Sequence, residues 1–265
     1  MSFPVYLKIG SVRLHPHFIF ETLAYLVGYR VYVALRQRYG DPVSQPARWW
    51  VIAAAAAGAA VGSKLIYWLE DPAKTLQQWH NLAYLMGGKT IVGGLVGGLI
   101  AVEWIKRRTG ITESTGDLFA IPLAVGVAIG RIGCFLTGLA DDTYGSPTGL
   151  PWGVDFGDGI RRHPTQLYEI AFLLLLALAL WWLMRRPHLN GDLFNAFMVC
   201  YALWRLLVDF LKPGVTVLRL SPIQWLCVAV LVYYAIDFRG RYGRQETPDL
   251  RLGTGGQAGT RSLQL

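Results

Sequence analysis

Charge is scarce in this sequence. Only 16% of its 265 residues are Asp, Glu, Lys or Arg, where a soluble domain carries about a quarter. Cysteine is scarcer still. Cys134, Cys200 and Cys227 all fall in apolar surroundings, with no paired spacing that would read as a disulfide framework or a CxxC metal motif. No zinc, iron–sulfur or haem pattern stands out, and the expected cofactor list is empty. A short N-terminal apolar region followed by a small-residue cleavage site is also missing, so no removable signal peptide is expected.

What the chain has instead is apolar residues in long blocks. They make up 53% of the sequence. Segments of about 18 or more such residues are long enough, as helices, to cross ~30 Å of hydrocarbon. Seven are expected, at 17–35, 49–69, 89–105, 117–139, 165–184, 192–211 and 220–238. The fold class that follows is an all-α integral membrane protein. Residues 1–238 form one helical unit, and 239–265, rich in Gly, Arg, Gln and Thr, form a cytoplasmic tail with a disordered composition.

The net charge of +8 would suggest nucleic acid as a partner of a soluble protein. Here the basic residues stand beside helix ends, so membrane orientation and anionic lipid explain them and nucleic acid is excluded. Arg36, Arg38, Arg48, Lys106, Arg107, Arg108, Arg185, Arg186, Arg239, Arg241 and Arg244 cluster on one side. That side is read as cytoplasmic. With seven spans the N-terminus lies outside, as do the loops at 70–88 and 140–164. The first of these is amphipathic enough for a short surface helix.

Charges inside a span are expensive and mark a protein interior or a watery cavity. Glu21, Lys64, Lys89, Arg131, Glu169, Arg205 and Asp209 are such residues. At 1.5 Å per residue, Arg131 and Arg205 each sit about 20 Å from the cytoplasmic helix start. Glu21, Lys89 and Glu169 fall near outer helix ends, and Asp209 lies one turn beyond Arg205. Two readings stand: ion pairs that lock the bundle, or an outward-opening polar cavity whose arginines bind a phosphate by their planar fork. Lys64 fits simple snorkelling. Gly93, Gly94, Gly97 and Gly98 have small-xxx-small spacing, which permits close helix packing or leaves room for a lipid chain.

The stretches Gly130-Arg131-Ile132-Gly133-Cys134-Phe135, Tyr144-Gly145, Pro151-Trp152-Gly153-Val154 and Arg162-His163-Pro164-Thr165-Gln166-Leu167-Tyr168-Glu169 resemble the signature region of the prolipoprotein diacylglyceryl transferases. Tyr25-Leu26-Val27-Gly28, the glycines of the third span, and Tyr201 to Asp209 resemble the same family. The resemblance covers most of the chain except the tail.

It implies a seven-helix inner-membrane enzyme that moves diacylglycerol from phosphatidylglycerol, or a similar anionic phospholipid, to the lipobox cysteine of a prolipoprotein, with glycerol phosphate leaving. Arg131 and Arg205 match two essential family arginines. Gly145, His163, Gln166, Tyr168, Glu169, Tyr201 and Asp209 match substrate-site positions, the last with Asp in place of Glu. The chain also departs from the family. Val92 stands where the family has a histidine, Glu21 where it has a tyrosine, Cys134 where it has an asparagine, and a family glutamate falls near Leu139. Glu21 and Lys89 are therefore candidate catalytic replacements or a simple ion pair. Alternative functions are a phospholipid-dependent transferase with another acceptor, and a non-catalytic lipid-binding or transport protein.

Overall fold

A computed structural model describes residues 3–9 and 12–242. Of the tail expected at 239–265, residues 239–242 continue the last helix, and 243–265 lie outside the described residues. The described residues are mostly helical. The long helices are α1 (Pro16–Tyr39), α2 (Gln45–Glu70), α5 (Ile91–Thr109), α6 (Asp117–Thr137), α7 (Thr165–Met184), α8 (Asp192–Val208) and α9 (Pro222–Tyr242). Between α2 and α5 lie two short helices, α3 (Pro72–Gln78) and α4 (Leu82–Met86), where one surface helix was expected. Two small hairpins, β1 (Leu7–Ile9) with β2 (Val12–Leu14) and β3 (Val154–Asp155) with β4 (Arg161–Arg162), are antiparallel.

Among the described residues, six helices are long and apolar enough to span a bilayer: all the long ones except α5. In α5, Glu103, Lys106, Arg107 and Arg108 crowd the last turns. The rest of this 19-residue helix is apolar and glycine-rich. Large apolar side chains such as Phe18, Tyr25, Leu26, Trp49, Trp50, Leu175 and Leu178 are exposed along these helices, as a protein dissolved in lipid requires. The fold is that of an all-α integral membrane protein.

Packing explains the small residues. α2 and α5 lie so close that a Cβ on Gly58 or Gly62 would collide with the backbone of Gly97 or Gly93, and the reverse holds for Gly97. These glycines serve the close-packing reading. α6 is the hub and touches α1, α7 and α8, while α8 also packs on α7 and α9. Ala120, Ala124 and Ala128 form its buried stripe at i, i+4 spacing, and Phe172 of α7 stacks on Trp204 of α8 at 4.6 Å between ring centroids.

The two ends of the bundle differ. At one end, Asp117 of α6 accepts hydrogen bonds from the backbone of Gly191 (2.6 Å) and Phe194 (3.0 Å) at the start of α8. There too, Asp41 binds Arg36 (2.8 Å) and Arg48, and Arg48 reaches the Thr115 carbonyl (3.2 Å). The opposite end gathers the first turn of α1, the ends of α2, α6 and α8, and the beginnings of α5 and α7.

Candidate functional site

At this opposite end the intramembrane charges meet. Arg131 sits in the next-to-last turn of α6 and Glu169 in the second turn of α7. Their side chains pair at 2.9 Å, Nε to Oε2. Arg205 of α8 approaches the same carboxylate oxygen with Nη1 at 3.7 Å and binds Asp209 Oδ1 with Nη2 at 3.2 Å. The Tyr201 hydroxyl, one turn before Arg205, donates to Glu169 Oε1 at 2.6 Å. All four central side chains are buried, with Glu169 and Tyr201 only 1% exposed. Asp209 is further held by the Ser221 hydroxyl.

One carboxylate thus bridges two guanidinium groups, with Asp209 as the second partner of Arg205, and hydrogen-bonding capacity remains. Arg205 Nε and Nη1 have no hydrogen-bond partner among the described residues. Such donors suit an oxygen-rich anion. Lys212, just past the end of α8, adds a third basic group. Burial, then the neighbouring Arg205 and Arg131, push its ammonium down to about 7.

Arg131, Arg205, Asp209 and Lys212 line a cavity of about 2410 Å³ that runs between α1, α2, α5, α6 and α9. Typical small-molecule pockets measure about 300–1,000 Å³. This one is polar near the arginines and apolar further along, where Ala55, Ala59, Leu95, Leu99 and Val127 form its wall. A head-and-tail ligand matches that division.

Glu21 and Lys89 also face the cavity and pair at 2.6 Å. Lys89 is 55% exposed in its side chain, so this is a half-exposed ion pair at the rim rather than a buried one. Lys64 donates to the carbonyls of Met86, Gly87 and Gly88, tying α2 to the turn before α5. That is a capping role rather than free snorkelling.

The remaining expected residues lie behind the arginine cluster and are not among the cavity-lining residues. Gln166 is buried and donates to Thr143 Oγ1 at 3.1 Å. His163 Nδ1 and the Tyr168 hydroxyl lie 3.2 Å apart, and Trp152 donates to that hydroxyl at 2.8 Å. Gly145 is wedged against His163 and the Leu211 carbonyl, with no room for a side chain, and its N–H bonds the His163 carbonyl at 2.9 Å. These residues pin the loop at 140–164 across the ends of α7 and α8.

Sequence reasoning passed over His17 and Asp141. Both line the cavity beside Cys134. The only signal was that each falls in the same end layer as Arg131. Nothing in the linear spacing links them.

The fold and site together define a multi-pass membrane protein with two buried arginines at the head of a large cavity. The family model for prolipoprotein diacylglyceryl transferase matches residues 4–238, and the chain belongs to that family. Phosphatidylglycerol–prolipoprotein diacylglyceryl transferase of Bordetella bronchiseptica is 32% identical over 251 residues, covering 86% of this chain and 91% of the relative. The enzyme of that name from Cupriavidus metallidurans is 35% identical over 190 residues, 67% of this chain and 66% of the relative. That from Geobacter sulfurreducens is 30% identical over 226 residues, 79% and 82%.

Proposed function

We propose that this protein transfers the diacylglyceryl group of phosphatidylglycerol to the lipobox cysteine of a prolipoprotein at the outer face of the bacterial inner membrane. The observation that carries this reading is the pair Arg131 and Arg205, bridged by Glu169 and opening on a cavity large enough for acyl chains. The arginines receive the phosphate and stabilise charge as glycerol phosphate leaves. The apolar wall holds the acyl chains. Glu169, Tyr201 and Asp209 fix the guanidinium planes, while Gly145, His163, Gln166 and Tyr168 hold the covering loop.

Residues 1–238 form the working unit in this reading, with 239–265 as a cytoplasmic tail. α5, about 28 Å long at 1.5 Å per residue, serves as a seventh crossing. The basic end is cytoplasmic and the arginine end external. Glu21 and Lys89 act at the cavity rim, where the acceptor thiol must arrive.

The test is transfer from phosphatidylglycerol to a lipobox peptide by purified parent, Arg131→Lys and Arg205→Lys, alongside complementation of a strain depleted of its own transferase. A point ammonium does not reproduce the arginine fork, so each variant should lose about 10²–10³-fold in turnover while still inserting. Near-parent activity in both variants would end the reading.

A second reading is favoured by one observation: Val92 is a buried apolar residue on the cavity wall, where the family pattern has histidine. A transferase using another acceptor would release glycerol phosphate from phosphatidylglycerol without lipidating the peptide. A non-catalytic lipid binder would do neither.

A further inference from the structure

The strongest unassigned feature lies one turn from Arg131. His17 is in the first turn of α1, Cys134 in the last turn of α6, and Asp141 in the 3-10 turn that follows α6. One ligand-capable atom from each lies within 4.8 Å of the other two. His17 Nδ1 is 3.2 Å from Asp141 Oδ1. The other ring nitrogen, Nε2, lies 3.7 Å from Glu21 Oε2, and Glu21 is in turn held by Lys89 at 2.6 Å. The second oxygen of Asp141 accepts a hydrogen bond from Thr143 Oγ1 at 2.7 Å. Cys134 is buried and Asp141 nearly so, with a side chain 12% exposed. All three residues line the cavity.

We propose that His17, Cys134 and Asp141 hold one zinc-class divalent cation, with a fourth coordination position open to the cavity. The donor set is one nitrogen, one sulfur and one oxygen, which is the mixture a borderline-soft tetrahedral ion takes. Bonds of about 2.0–2.3 Å place ligand atoms some 3.3–3.8 Å apart, so the cluster needs to contract by about 1 Å. A thiolate and a carboxylate balance the double charge. A histidine that ligates through one nitrogen characteristically gives its other N–H to a carboxylate, and Glu21, 3.7 Å from Nε2, is the carboxylate nearest that place. Thr143 orients the Asp141 carboxylate in the same way. Three protein ligands with one open position is the pattern of a reactive metal site rather than a closed structural one.

Its role rests on the transferase reading. A thiol bound at the open position ionises outright, which supplies the activation that Val92 cannot. The acceptor S–H gives its proton to water in the cavity. The sulfur forms a bond to the glycerol carbon. The bond from that carbon to the phosphate oxygen breaks, and its electron pair leaves with glycerol phosphate toward Arg131 and Arg205. No oxidation state changes.

The test uses the full chain purified in detergent without chelator. Zinc per chain is measured by mass spectrometry, and the chelator-stripped protein is then titrated with Co²⁺ and followed by the thiolate-to-cobalt absorption band. The expected result is about one zinc per chain and a saturable band in the parent, which needs no variant. Cys134→Ser should abolish the band, His17→Ala should prevent stoichiometric binding, and Glu21→Gln should weaken affinity about 10–100-fold. A parent that binds neither zinc nor Co²⁺ overturns the site, as does binding that Cys134→Ser and His17→Ala leave unchanged. Undiminished peptide lipidation by the stripped protein overturns the metal's role and leaves the transferase reading standing. Stoichiometric metal with no lipidation keeps the site and removes that reading.

Discussion

Replacing Glu169 by Gln removes one negative charge from the centre of the bundle and changes little else. The amide keeps the volume and still accepts from Tyr201. What is lost is the counter-ion of two buried guanidinium groups, at 2.9 Å from Arg131 and 3.7 Å from Arg205. At an effective dielectric of about 20, each contact carries a gross attraction of about 4–6 kcal/mol. Most of that offsets the desolvation of the charges, and removing one partner of a buried pair costs about 3–5 kcal/mol net. The folding equilibrium should therefore shift by roughly 10²–10⁴-fold. The assay is denaturant or thermal unfolding of purified protein in detergent, compared with Tyr201→Phe, which loses one hydrogen bond and should cost about 1–3 kcal/mol. Phosphatidylglycerol should also protect the Gln variant more than the parent, because its phosphate supplies the missing charge. An unfolding midpoint equal to the parent's, with no extra lipid protection, would refute the claim that Glu169 is the shared counter-ion of the arginines.

Three further outcomes follow from other parts of the molecule. Arg48→Met should cost about 3–5 kcal/mol, because it strips a buried partner from Asp41; burial would raise that carboxyl, but the Arg48 hydrogen bond and charge outweigh it and hold it below its usual value. The stability this pair gives should be present above about pH 4 and fade as pH falls through the lowered Asp41 value, so acid unfolding of the parent against the variant checks it. Gly97→Val should drive α5 off α2 at the cost of about 1–3 kcal/mol or more, read as a lowered thermal midpoint, whereas Gly130→Ala on α6, with open space around it, should leave the midpoint unchanged. Lys212, pushed down to about 7, should be charged below that pH and neutral above it, so phosphatidylglycerol should bind more weakly as pH rises through about 7 and Lys212→Met should flatten the profile. For stability the sign is opposite: a lowered lysine penalises the fold fully below about 7, and the penalty eases as pH rises towards the ordinary lysine value of about 10.4.

Much of this protein was already written in its sequence, because a bilayer reduces the folding problem to one dimension. A long apolar segment that faces lipid must satisfy its backbone as a helix or a closed barrel, and its length sets whether it crosses as a helix. Positions 165–184 emerged with the bounds expected of them. The first two helices extend beyond the apolar blocks because their end turns are polar: α1 runs to Tyr39 through Arg36 and Arg38, and α2 begins at Gln45. The third block shows the limit of hydropathy alone, since its charged last turns take α5 below the composition of the other spans. Arg131, Arg205, Glu169 and Asp209 could be nominated from the sequence because each is a charge where a charge is costly. Their depths could also be counted, because helix rise is fixed.

Only the tertiary structure decided who meets whom. Rotation about each helix axis is set by packing, and it turns Glu169 between two arginines while leaving His163 and Tyr168 behind them. It also sets how tightly each glycine of α5 meets α2: a Cβ would collide at Gly93 and Gly97, and the approach is looser at Gly94 and Gly98. Most of all, it brings His17, Cys134 and Asp141 together at one end of the antiparallel pair α1 and α6. Residues 117 positions apart in the chain have no shared period and no motif, and nothing but the contact of α1 with α6 makes them neighbours.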